Sequence, residues 1–188
     1  MSKFHYVLEK INDSPFLGDP FRHIYVEDLF TPEDFAEIVA SHEVNVPRVE
    51  DDVELFLALH KRNFKEIKFP GTTTDVLQYI HWHKHQKKQQ KVNGDTCEGF
   101  GVTLRLQETS EGSILRELSD FFGSLEFWNA VSQKFGLKFD ATTADVGLQK
   151  YLDGYEISPH PDIRKKALTF MINLNPAAES EKIAYHTD

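Results

Sequence analysis

The apolar residues change period at Gly136, and that change limits the fold more than any other feature of the chain. Before it, Ile114, Leu115, Leu118, Phe121 and Phe122 recur at steps of three and four up to Gly123, and Leu125, Phe127, Trp128, Val131 and Phe135 follow Ser124. That spacing lays an apolar stripe along each of two consecutive helices, the second with Ser124 as its cap and Gly136 as its stop. After Gly136 come short β-prone stretches at 137–139 and 146–151, then the run 167–174, rich in branched and aromatic side chains. Helices followed by strands predict an α+β fold, with helical support over 31–136 and a β core over 137–188.

The first third carries further signals. Phe21, Ile24 and Val26 alternate imperfectly with polar residues over 20–29 and predict a strand. Thr31-Pro32-Glu33-Asp34 then reads as a helix start, with a hydroxyl cap, proline in the first turn and acids facing the positive end of the helix dipole. Phe35, Ile38 and Val39 supply that helix with its apolar stripe. Val53, Phe56, Leu57 and His60 predict a short helix between Pro47 and Pro70. Residues 71–75 form a cap for another helix that carries Val76, Leu77 and Ile80. No repeat or low-complexity tract interrupts the pattern.

At 188 residues, 40% of them hydrophobic, the chain is expected to fold as one domain spanning 1–188. The formal charge of -9 repels a phosphate backbone, which argues against a nucleic-acid partner. No run approaches the roughly 20 apolar residues of a membrane helix, and the first residues lack a signal peptide's apolar region. A lone Cys97 can form no internal disulfide. These features predict a cytoplasmic protein without a membrane anchor.

Chemistry concentrates in Tyr151-Leu-Asp-Gly-Tyr-Glu-Ile-Ser-Pro-His-Pro-Asp162. His160 and Asp162 stand two apart, so an extended backbone sends both to one side, where together they can reach one metal. An imidazole and a carboxylate, completed by a second imidazole, make the facial triad that leaves positions open on iron(II). The pattern continues as Leu168-Thr169 in a predicted strand ending Leu174-Asn175-Pro176. With Tyr151 and Gly154 upstream, it resembles the core of the prolyl-4-hydroxylase-like branch of the iron(II)- and 2-oxoglutarate-dependent oxygenases. The resemblance is sharp over 146–176 and weaker over 20–40.

It implies a dioxygenase (hydroxylase) built as N-terminal helices packed on a double-stranded β-helix, or jelly roll. Iron(II) would bind at His160 and Asp162, and 2-oxoglutarate beside Tyr151, Thr169, Met171 and Asn173. It further implies a protein side chain, peptide or small metabolite as the substrate hydroxylated, with 2-oxoglutarate and O2 consumed and succinate released. The last three co-substrate positions are two apart and share one face, which solvent could equally occupy. Tyr151 could equally be a buried aromatic with its hydroxyl bonded to backbone.

Relatives draw a second histidine and a basic residue, usually Arg, from strands beyond the first metal pair. Here only Lys182 and His186 follow, and His186 reads as a loop residue. The jelly roll of about eight strands is therefore expected to be incomplete at the C-terminus. A fragment, a third ligand from another chain, or a fold that has lost iron would each account for this, and the intact upstream motif favours the fragment. An unfinished sheet would leave an edge open to a second copy in a homo-oligomer. The alternative in a different class is a non-catalytic β-helix module that binds a partner.

A second constellation is His81-Trp82-His83-Lys84-His85. On a strand all three imidazoles share a face; on a helix only His81 and His85 do. The neighbouring Lys84, Lys87, Lys88 and Lys91 oppose a cation, so the run reads as a solvated helix end.

Overall fold

The computed structural model describes residues 2–68, 72–85, 99–138, 143–157 and 166–175. In chain order the elements are helices α1 (Tyr6–Asp13), α2 (Pro32–Ala40) and α3 (Asp52–His60), strand β1 (Phe64–Ile67), helix α4 (Val76–His85), strands β2 (Gly99–Phe100) and β3 (Thr103–Leu106), helices α5 (Ile114–Phe122) and α6 (Leu125–Phe135), and strands β4 (Gln149–Tyr151) and β5 (Glu156–Ile157). The protein is thus mixed helix and sheet, as the α+β expectation has it. The described residues display no jelly roll: they form one three-stranded and one two-stranded sheet.

The chain divides into two compact units, each made of discontinuous segments. The first comprises 1–44, 109–146 and 167–175 and holds α1, α2, α5 and α6. Its caps follow from the sequence. Thr31 accepts a hydrogen bond from the Asp34 amide at 3.1 Å, Ser113 from Arg116 at 3.2 Å and Ser124 from Phe127 at 3.2 Å. Gly136 ends α6 with φ of 71°, a left-handed turn that a side chain would strain.

Amphipathic helices must bury their stripes, and here α1 packs on α6, α5 on α6 and α2 on α5. Between them lies an aromatic cluster. Phe127 meets Phe122 edge to face at 4.9 Å and Phe121 at 5.5 Å, while Phe4 joins from the other side at 5.9 Å from Phe121. Phe170 closes the cluster, 5.5 Å from Phe122 and 5.6 Å from Phe127. A polar knot pins α2. Tyr6 donates to Asp34 at 2.6 Å, Lys3 lies 3.0 Å from the same carboxylate, and the Thr31 amide donates to the Tyr6 hydroxyl at 3.2 Å.

The strand expected over 20–29 is absent. Leu17 and His23 form an isolated bridge, and Phe21 is 67% exposed. Pro20 offers no amide donor, and none of residues 20–29 is buried, so no face repays a ladder.

The second unit comprises 45–108, 147–166 and 176–188. Its sheet runs β1-β3-β4, all antiparallel, with Phe64 opposite Leu106, Ile67 opposite Thr103, and Thr103 opposite Tyr151. Two of its three strands come from the stretch expected to be helical support. Their apolar members Phe64, Leu104 and Leu106 are buried together with Phe56 and Leu59 of α3 and Tyr79 of α4. Beside it β2 pairs with β5, Gly99 opposite Ile157. Gly101, with φ of 127°, lets the two backbones approach: a Cβ there would fall 2.6 Å from the Tyr155 Cα.

Candidate functional site

Strand β4 carries Tyr151 into a tight turn closed by the Tyr155 amide donating to the Leu152 carbonyl at 3.0 Å, and the Leu152 amide donates to Val102 at 3.1 Å. Gly154 makes the turn possible with φ of 76°, and it sits against the Trp82 ring so closely that any side chain would collide. Strand β5 then leads straight in sequence to Ser158-Pro159-His160. His160 and Asp162 themselves lie outside the described residues.

Tyr151 is 44% exposed, lies with its ring centre 4.5 Å from that of Tyr155 at a tilt of 40°, and donates its hydroxyl to Gln149 Oε1 at 2.8 Å. Burial raises its pKa, with Lys166 pulling the other way, so the phenol keeps its proton at neutral pH and remains a donor. The backbone-bonded, buried alternative does not hold.

Thr169, Met171 and Asn173 belong to the first unit, Tyr151 to the second. Burial alternates along the segment: those three are exposed, while Leu168, Phe170, Ile172 and Leu174 are half-buried. The three therefore share a face, and it is the open one. The segment joins no ladder among the described residues, and Asn173 Oδ1 accepts from the Asn175 amide at 3.0 Å, a local turn.

The histidine run lies on α4. His81 and His85, four apart, bring their rings to 4.7 Å on the exposed side. His83 turns inward and is held from both ends. Its Nδ1 lies 2.9 Å from both carboxylate oxygens of Asp52, the first residue of α3, and its Nε2 lies 3.0 Å from Asp153 Oδ2 in the turn after β4. Tyr79, one helical turn earlier, stacks on the ring at 5.6 Å and 12° and donates its hydroxyl to the Asp153 carbonyl at 2.8 Å. Burial raises the Tyr79 pKa, and Asp153 and Asp52 raise it further, keeping that phenol a donor. For His83 burial opposes the charge, but hydrogen bonds and attraction from Asp52 and Asp153 outweigh it, and the pKa is raised.

Sequence reasoning had His83 but neither of its carboxylate partners, Asp52 and Asp153. The one available signal was the four-residue step from Tyr79 to His83, which puts both on one face of α4. Among the described residues no three His, Cys, Asp or Glu side chains are arranged to hold a metal ion. None of the described helices is long and apolar enough to cross a membrane. No family model matches the chain, and no curated protein or solved structure matches it.

Proposed function

We propose that the chain is an iron(II)- and 2-oxoglutarate-dependent dioxygenase that hydroxylates a protein side chain, peptide or small metabolite, releasing succinate. The observation that carries the reading is the run from Tyr151 through Gly154 to His160 and Asp162, whose first half is a strand, turn and strand. The donor set fits ferrous iron by its chemistry: one imidazole and one carboxylate, two residues apart, leave positions for further ligands. Once released from Gln149 Oε1, the protonated phenol of Tyr151 can donate to a co-substrate carboxylate.

On this reading His160 and Asp162 would hold the metal, and Tyr151, Thr169, Met171 and Asn173 are the residues that the resemblance assigns to the keto acid. The bound metal and keto acid supply the oxidising power; the chain supplies orientation. The same reading carries a jelly-roll core, a cytoplasmic setting and a homo-oligomer as further expectations.

The test is carbon dioxide release from carboxyl-labelled 2-oxoglutarate by the full chain with iron(II) and ascorbate, beside manganese(II) binding followed by electron paramagnetic resonance. Release and binding at least tenfold above those of His160→Ala and Asp162→Ala are expected. Wild-type values equal to those of both variants would overturn the reading.

A further inference from the structure

Both ring nitrogens of His83 face carboxylate oxygens, and a carboxylate oxygen can only accept. A neutral imidazole has one N–H and so can satisfy only one of the two partners. The geometry therefore favours the imidazolium, with Nδ1–H donating to Asp52 and Nε2–H to Asp153. The three groups come from three places, α4, the start of α3 and the turn between β4 and β5. The ring is 22% exposed, Asp52 9% and Asp153 77%, so the contact to Asp52 is well shielded and the one to Asp153 is open to water.

We propose that charged His83 is a positioning residue: it ties the Leu152–Tyr155 turn to α3 and α4 and makes the setting of that turn depend on pH. Tyr151 precedes the turn and β5 follows it, so the tie acts on the turn that joins β4 to β5, upstream in sequence of His160 and Asp162. Any effect on turnover rests on the oxygenase reading, whereas the tie itself does not.

The surroundings bear this out from each side. Tyr79 holds the turn through the Asp153 carbonyl and stacks on the ring, and Trp82 packs against Gly154. Tyr79, Trp82 and His83 thus present one face of α4 to a single turn. The charged groups facing His83 are Asp52 from α3 and Asp153 from the turn; Lys84 and His85 of its own helix are on the exposed side. Of the ties to the turn, the Tyr79 hydroxyl and the Trp82 packing do not titrate near neutrality. The imidazolium does, and its loss leaves one carboxylate without its donor.

The direction follows from linkage. The folded pKa lies above the ordinary value of about 6.5. The tie is complete below about pH 6.5 and is lost as pH rises through the folded value.

The experiment is amide hydrogen exchange on the full chain between about pH 6 and 9, corrected for the intrinsic base-catalysed rate, with the His83 ring titrated in parallel by nitrogen NMR. The amides to follow are Leu152 and Tyr155. Expected are two protonated ring nitrogens at the acid end of the range and a fall in protection of at least tenfold with the same midpoint as the ring. Asp153→Asn, whose amide can accept from a charged ring or donate to a neutral one, spares α3 and α4 and should give protection that no longer varies with pH, and Asp153→Glu should restore the dependence. His83→Gln should likewise give protection that does not vary with pH; should it fail to fold, Asp153→Asn still decides.

Protection that is flat with pH in the wild type, or a ring that is neutral throughout the range, overturns the proposal. If exchange behaves as expected while no succinate forms, the tie stands and the oxygenase reading falls. If succinate forms at a rate blind to Asp153→Asn while exchange follows pH, the tie stands but does not govern turnover.

Discussion

Replacing Phe127 by alanine tests whether the aromatic cluster is the core of the first unit. The side chain is 2% exposed. Its ring meets Phe122 at 4.9 Å and 88°, Phe121 at 5.5 Å and 64°, Trp128 at 5.5 Å and 90°, and Phe170 at 5.6 Å and 60°. Truncating a buried phenylalanine costs about 3 to 5 kcal/mol, and edge-to-face pairs each contribute about 0.5 to 1.5 kcal/mol beyond buried area. Four such neighbours place Phe127→Ala at the upper end, about 4 to 5 kcal/mol. Against a total stability of about 5 to 15 kcal/mol, that is a large share. With a urea slope of about 2 kcal/mol per molar, the midpoint should fall by about 2 M. The assay is urea unfolding followed by Trp128 fluorescence in a Trp82→Phe background. Phe127→Leu, which keeps most of the volume, should cost about 1.5 kcal/mol. Leu125→Ala, at a site 71% exposed, should stay within about 0.5 kcal/mol of the parent. A Phe127→Ala midpoint indistinguishable from that of Leu125→Ala would refute the argument.

Gly154→Ala meets both a positive φ of 76° and the Trp82 ring, and left-handed strain of about 1 to 2 kcal/mol plus overpacking of about 1 to 3 kcal/mol should lower the melting temperature measured by circular dichroism. Ser124→Ala removes the acceptor for the Phe127 amide and should cost about 1 kcal/mol in urea unfolding. Asp34 is a pH prediction. Burial pushes its pKa up, but the hydrogen bonds from Tyr6 and Lys3 more than reverse that, and the folded pKa is lowered. Its stabilisation is therefore present above the ordinary carboxylate value of about 3.9 and lost as pH falls through the folded one. Asp34→Asn should be less stable than the parent at neutral pH and should converge with it in acid, as read from unfolding midpoints across that range.

What could be read from the sequence was what is local. The caps at Thr31 and Ser124 and the stop at Gly136 depend on residues within four positions of one another, and each stands as expected. The alternation at Thr169, Met171 and Asn173 was legible for the same reason, although periodicity alone does not say which face is open. Strands β1 and β3 escaped notice because each is four residues long and carries charge: Lys65 and Glu66 in one, Arg105 in the other. Their apolar members become a core only once Phe64 is set opposite Leu106. The strand expected at 20–29 failed in the opposite sense, having a pattern but no neighbour to pair with. The anchor at His83 depends on partners 31 and 70 residues away along the chain, beyond the reach of any periodic reading.

The weaving of the first unit has a consequence for how the chain comes to be folded during synthesis. Helix α1 rests on α6, more than a hundred residues later, and the ring of Phe170 completes the cluster around Phe127. A ribosome releases the chain from its beginning, so α1 and α2 emerge with their apolar stripes bare and stay so while the whole 45–108 segment is made. Such distant closures are slow, and apolar surface left waiting is prone to stray association. The opening 44 residues thus have no stable home of their own, and a nascent chain arrested before residue 109 should behave as a client for chaperones.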